Sequence, residues 1–181
     1  MRILLLAFAA AWAFPIGNAA ADTRTASASE WQVKSAFIYN FTKFVEWPPE
    51  ALAGPSQPIV IGVLGEPALA QQLTAVVAGR NVNGRQIEVR VVQTVAQARA
   101  TQLLFVTAEE DKHYAAMRAD LADSPILTIG ESPSFSVMGT IGFVSDGEKL
   151  RFEINADIAE RSRLKVSAQL QKLAIAVRRK P

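Results

Sequence analysis

His113 is the sole histidine and cysteine is absent, so thiolate chemistry is excluded and imidazole chemistry has one residue to draw on. The imidazole follows Glu109-Glu110-Asp111-Lys112, a charged helical run in which a surface histidine is expected rather than a general base. One histidine and no thiolate leave the usual zinc ligand sets unfilled. A Ser-His triad would have only His113 to draw on, and no G-x-S-x-G elbow accompanies it. The contiguous carboxylates Glu109, Glu110 and Asp111 splay about 100° apart on a helix. They suit a solvated first turn that complements the helix dipole. Pairing of carboxylates distant in sequence keeps a hydrolase reading open.

Binding chemistry is better represented. Gly62-Val63-Leu64-Gly65 ends a predicted strand and opens a helix, the place where open α/β sheets hold ligands. It has neither the G-x-G-x-x-G spacing nor a G-K-[ST] ending, and Pro67 removes one amide. A plain strand-to-helix turn is therefore favoured, with Gly65 kept as a ligand candidate. Arg151, Glu153, Asn155, Arg161, Arg163 and Lys165 cluster in sequence. They form either a salt-bridged surface or a pocket for an anionic or zwitterionic small molecule, gripped by guanidinium forks. Arg151, Glu153, Asn155, Arg161 and Lys165 are the ligand-binding candidates among them. Tyr39, Asn40 and Trp47 are candidates for a partner or homodimer interface, since tyrosine and tryptophan combine apolar area with a polar handle. No cofactor and no metal is expected.

The elements that must position these groups follow a leader. Arg2, the apolar run Ile3 to Phe14, the break at Pro15–Asn18 and the small residues Ala19-Ala20-Ala21 form a cleavable signal peptide pattern over 1–21. The expectation is export to the periplasm, a flexible mature N-terminus over 22–29 and one domain over 30–181. About 160 mature residues suffice for one substantial core. A formal charge of +2 gives no electrostatic case for nucleic acid.

Hydrophobic spacing predicts a helix over 30–47, with Val33, Phe37, Phe41 and Phe44 in one row and Trp31, Ile38 and Val45 beside it. Pro48-Pro49 ends it. Residues 59–64 read as a strand buried on both faces, and 66–78 as a helix with Pro67 in its first turn. A turn at 81–84 leads to a half-exposed strand carrying Ile87, Val89 and Val91. A short helix over 95–100, a strand at 103–106, a helix over 109–122 and a strand at 126–129 follow. Strands 141–144 and 150–154 flank an Asp-Gly turn as a hairpin, and Asn155 is placed to cap the next helix. A last helix is expected after Arg163 through Val166, Leu170, Leu173 and Val177, with Arg178-Arg179-Lys180 at its C-terminal dipole. The sum is an α/β domain with a mixed, mostly parallel sheet of about six strands flanked by helices, ending in a β-hairpin and helix.

The segment Lys34 to Pro48, KSAFIYNFTKFVEWP, resembles the opening motif of the YfiR-like family. Ile61-Gly62-Val63-Leu64-Gly65 and Val82-Asn83-Gly84-Arg85 resemble its next landmarks. The strongest likeness is at the end: Ile141 to Val144, then Arg151-Phe152-Glu153-Ile154-Asn155 and the stretch Leu164 to Leu173. The resemblance covers essentially the whole mature chain. It implies a non-catalytic periplasmic regulator that binds and represses the periplasmic domain of an inner-membrane signalling protein, a diguanylate cyclase, restraining cyclic-di-GMP signalling and biofilm formation. The fold it implies is a mixed sheet flanked by helices, often dimeric. The family's namesake carries disulfide-forming cysteines tied to redox behaviour, and this chain has none, so redox control is not carried over. The alternative reading is a periplasmic small-molecule-sensing module acting with a histidine kinase or transporter.

Overall fold

A computed structural model describes residues 19–54, 56–147 and 149–179, with side chains from Glu30 onward. Most of the expected leader lies outside the described residues. The chain opens with α1 (Ala19–Phe44) and a two-residue strand β1 (Val45–Glu46), then β2 (Ile59–Leu64), α2 (Pro67–Val77), β3 (Asn81–Val82) and β4 (Arg85–Val91). It continues through α3 (Val95–Arg99), β5 (Leu103–Val106), α4 (Asp111–Leu121) and β6 (Leu127–Gly130). The last third holds β7 (Ile141–Asp146), β8 (Lys149–Asn155), α5 (Ala156–Arg161), β9 (Lys165–Val166), α6 (Ala168–Leu173) and β10 (Ala176–Arg178).

Eight strands form one sheet in the order β10-β8-β7-β6-β5-β2-β4-β3. Six of them are the strands expected from the apolar runs, and β3 and β10 are short additions at the two edges. Neighbours run parallel except for the β7–β8 and β3–β4 pairs. The continuous apolar runs of β2, β5 and β6 lie in the middle, in register through Ile61, Leu103 and Leu127, and are buried throughout. Both faces are covered, as parallel sheets require. On one face α1, α2 and α6 contribute Phe41, Leu73 and Leu170 to the larger core; on the other, α3 and α4 contribute Ala98, Tyr114 and Met117. The β3–β4 turn uses Asn83 and Gly84, both at positive φ (51° and 80°), the geometry a tight two-residue hairpin demands.

Four expectations are corrected. The first helix gives way at Phe44, so Val45 leaves it to pair with Val166 across β1 and β9. Of the two expected apolar rows, Trp31, Ile38, Phe41 and Val45 are buried and Phe37 and Phe44 pack against the core, but Val33 is 44% exposed while Ser35, Tyr39 and Thr42 are buried. Ser35 and Thr42 are small enough to pack inward beside these rows, and Thr42 Oγ1 donates to the Tyr39 carbonyl at 2.6 Å.

The single long C-terminal helix is not formed. Val166 lies on β9 and Val177 on β10, with only the six residues of α6 helical between them, capped by Ser167. Apolar residues four apart mimic a helical stripe, but here two of them meet strand partners, Val45 and Ile154. Tertiary pairing overrides the period. For the same reason Arg178 does not serve a helix dipole: it stands on β10 and bonds Glu153.

Candidate functional site

The C-terminal ends of β6 and β7, the β7–β8 hairpin and the middle of α1 border a cleft of about 390 Å³. Two ion-paired clusters stand on its wall. In the first, Lys34 Nζ lies 2.6 Å from Glu131 Oε2 and 2.8 Å from Glu30 Oε1. Glu131 directly follows β6 and accepts the Ala108 amide through its other oxygen at 3.3 Å. Burial alone would lower the Lys34 pKa, but hydrogen bonds and charge from Glu131 and Glu30 outweigh it and hold the ammonium above its ordinary value.

The second cluster centres on Glu153 of β8. Its Oε2 accepts from Ser136 Oγ at 2.6 Å and from Arg178 Nε and Nη2 at 3.0 and 2.8 Å. Ser136 first, then Arg178, hold this carboxyl below the usual carboxylate range. The resulting stabilisation is present above the ordinary carboxylate pKa and is lost as pH falls through the lowered folded value. Glu153→Gln should therefore melt a few degrees below the wild type at neutral pH, with the gap closing in acid. A gap that stays constant in melts run across that range would contradict this assignment.

Ser136 is held for this role by its neighbours. Phe135 packs beneath the 135–137 turn against Tyr114, ring centroids 5.1 Å apart. Gly130 and Gly139 leave room for that ring, since a Cβ on either would stand 2.1 Å from it. The Ser136 carbonyl accepts from Asn155 Nδ2 at 2.7 Å, while Asn155 Oδ1 caps α5 through the Ile158 amide at 3.0 Å. Asn155 is thus a brace between the cap and the cleft wall.

The other sequence candidates are dispersed. Of Arg151, Glu153, Asn155, Arg161, Lys165 and Gly65, only Glu153 lines this cleft. Arg151 is exposed beside a neighbouring groove between α1, β8 and α6. Arg161 faces a depression shared with Arg118 and Tyr114, and Lys165 is on β9 near Glu160 and Arg179. A Cβ at Gly65 would collide with Thr107, so this glycine serves close packing. Arg163 pairs with Glu50.

Among the interface candidates, Asn40 is exposed, whereas Tyr39 is buried under Lys43 and Arg80, whose charges lie 4.2 and 4.8 Å from its ring centroid. Trp47 is half-buried and donates its Nε1–H to the Gln102 carbonyl at 2.9 Å. It latches the turn after β1 to the sheet. Sequence reasoning missed Lys34, Glu131 and Ser136. The available signals were a lysine within a mostly buried aromatic helix and a carboxylate placed directly after a buried parallel strand, where ligand sites form.

Two carboxylates do converge, Glu30 and Glu131, but on one ammonium. A catalytic acid/base pair instead presents a protonated and an ionised carboxyl to a substrate. His113 is partly exposed and lies 3.0 Å from Glu110. Among the described residues, no group of three or more His, Asp or Glu side chains could hold a metal ion.

The fold and cleft define a thiol-free three-layer α/β domain with a charged recess at one end of its sheet. A family model described as YfiR/HmsC-like matches residues 31–175, and the chain belongs to that family. The matched span contains Lys34, Glu131 and Glu153 and stops short of Glu30 and Arg178. No curated protein matches the chain.

Proposed function

We propose that this protein is a non-catalytic periplasmic regulator that binds the periplasmic domain of an inner-membrane signalling protein and holds it inactive. The observation that carries the reading is membership of the YfiR/HmsC-like family across 31–175, which supports a regulator of diguanylate cyclase signalling at family level. The signal peptide pattern of 1–21 supports export, and among the described residues no helix is long and apolar enough to cross a membrane. The partner would then be a diguanylate cyclase whose product controls biofilm formation. Repression works only through differential affinity: the regulator must bind the inactive state more tightly. Driving a two-state partner from 1:99 to 99:1 takes a ratio of about 10⁴.

Capture with the exported protein on solubilised inner membranes tests this reading. The expected result is enrichment of a membrane protein with a periplasmic segment and a cytoplasmic cyclase domain; enrichment of none contradicts it. A second reading, small-molecule sensing, is favoured by the cleft between Lys34 and Glu153. It predicts thermal stabilisation by a small zwitterion or anion, by about 2.7 kcal/mol at 100 times the dissociation constant.

A further inference from the structure

Beside the cleft, and sharing Leu150 with it, α1, β8 and α6 border a groove of about 610 Å³. Its apolar wall comes from Val33, Phe37, Phe152 and Leu173. Val33 is 44% and Leu173 57% exposed, two of the few large apolar side chains so open to solvent among the described residues. Ile175, 43% exposed, adjoins the groove, its amide bonded to the Phe152 carbonyl at 3.0 Å. Exposed apolar groups gathered in one concavity mark interaction sites, whereas isolated ones do not.

Among the described residues, the groove's charges all have one sign. Lys149, Arg151 and Lys172 line it, all exposed, and among the described residues none of them forms an ion pair. The whole chain carries only +2, so three unpaired cations around an apolar trough are a local feature. Elsewhere on β8 a carboxylate does meet a cation: Glu153 pairs with Arg178 of the neighbouring edge strand β10.

We infer that this groove is a docking surface for an acidic amphipathic segment of a partner protein, whose apolar side chains enter between Val33 and Leu173 while its carboxylates meet Lys149, Arg151 and Lys172. The inference rests on the partner-binding reading above and specifies the surface and the chemistry it takes. A second copy of this chain docking groove to groove would set the three cations against themselves, a self-complementarity failure for a two-fold contact. The concave shape suits an inserted segment better than a flat lipid surface.

Two fluorescently labelled helical peptides of equal length serve as probes, one pairing Leu and Phe with Glu, the other with Lys in place of every Glu. The exported protein should bind the acidic peptide at least about tenfold more tightly at low salt, with the preference shrinking as salt screens the rim. The variant Lys149→Glu/Arg151→Glu/Lys172→Glu should lose that preference. If its melting temperature falls, Arg151→Glu alone should still weaken acidic-peptide binding about threefold. Equal binding of the two peptides, no binding of the acidic one, or unchanged binding by the folded variants overturns the inference. So does partitioning onto phosphatidylglycerol vesicles without peptide binding, or a dimer that the triple variant abolishes.

In cells the two readings separate. If the folded triple variant lowers cyclic-di-GMP as well as the wild type, the groove assignment fails and the regulator reading stands. If deleting the gene changes nothing, the regulator reading fails, and the peptide titration still decides the groove.

Discussion

Replacing Phe41 with alanine should destabilise the protein by about 3–5 kcal/mol, the usual cost of emptying an aromatic site in a packed core. Phe41 is 1% exposed, and its ring meets Phe37, Phe143 and Phe152 at centroid distances of 5.8, 6.0 and 5.0 Å. These rings join α1 to the antiparallel β7–β8 hairpin. Their loss would therefore loosen the attachment of the helix to the part of the sheet that bears both the cleft and the groove. At about 3 °C per kcal/mol for a domain of this size, the melting temperature should drop by roughly 10 °C. Val33→Ala on the same helix, exposed and outside the buried row, should stay within about 0.5 kcal/mol of the wild type. Calorimetry showing equal losses for the two would mean that α1 is not packed through Phe41.

The second large effect is expected from adding a single methyl group. Gly130→Ala places a Cβ 2.1 to 2.5 Å from three atoms of the Phe135 ring. That ring is fully buried and wedged between Gly130, Gly139 and Tyr114, so it has little room to yield. Overpacking of this kind costs about 1–3 kcal/mol, and here the displaced turn also carries Ser136. The Ser136–Glu153 hydrogen bond should weaken with it. The Gly130→Ala variant should then show a smaller stability loss in acid than at neutral pH, because part of its deficit is the Glu153 contribution. Adding Phe135→Leu should recover some of the loss, a coupling that a double-mutant cycle reads directly. Strict additivity of the two substitutions would show that the ring and the glycine do not compete for the same space.

The legible part of this molecule is its sheet. Continuous apolar runs at 59–64, 103–106 and 126–129 are explained only by strands hidden on both faces, and β2, β5 and β6 are such strands. Asp-Gly before Lys149 and the Asn155 cap were also readable, because each rests on backbone geometry that few residues provide. The C-terminal misreading has a different origin. Val166, Leu170, Leu173 and Val177 carry a helical period by spacing alone, and the period is silent about strand partners more than twenty residues away. The cleft was hidden for a related reason. Glu153 was readable as polar and chemically able, yet its partners Ser136 and Arg178 come from a turn and an edge strand on either side of it in sequence. Lys34 and Glu131 are 97 positions apart. Arg161 and Lys165, close to Glu153 in sequence, stand on α5 and β9 and line other depressions, while Arg151, two residues before Glu153 on β8, lines the neighbouring groove.

The most direct measurement of the central claim is the cellular cyclic-di-GMP level with and without the gene, with the exported protein restored from a plasmid. Deletion should raise the nucleotide several-fold and strengthen biofilm, and the restored wild type should bring both back down. An unchanged level after deletion would contradict the regulator account, whatever the protein proves to bind in vitro.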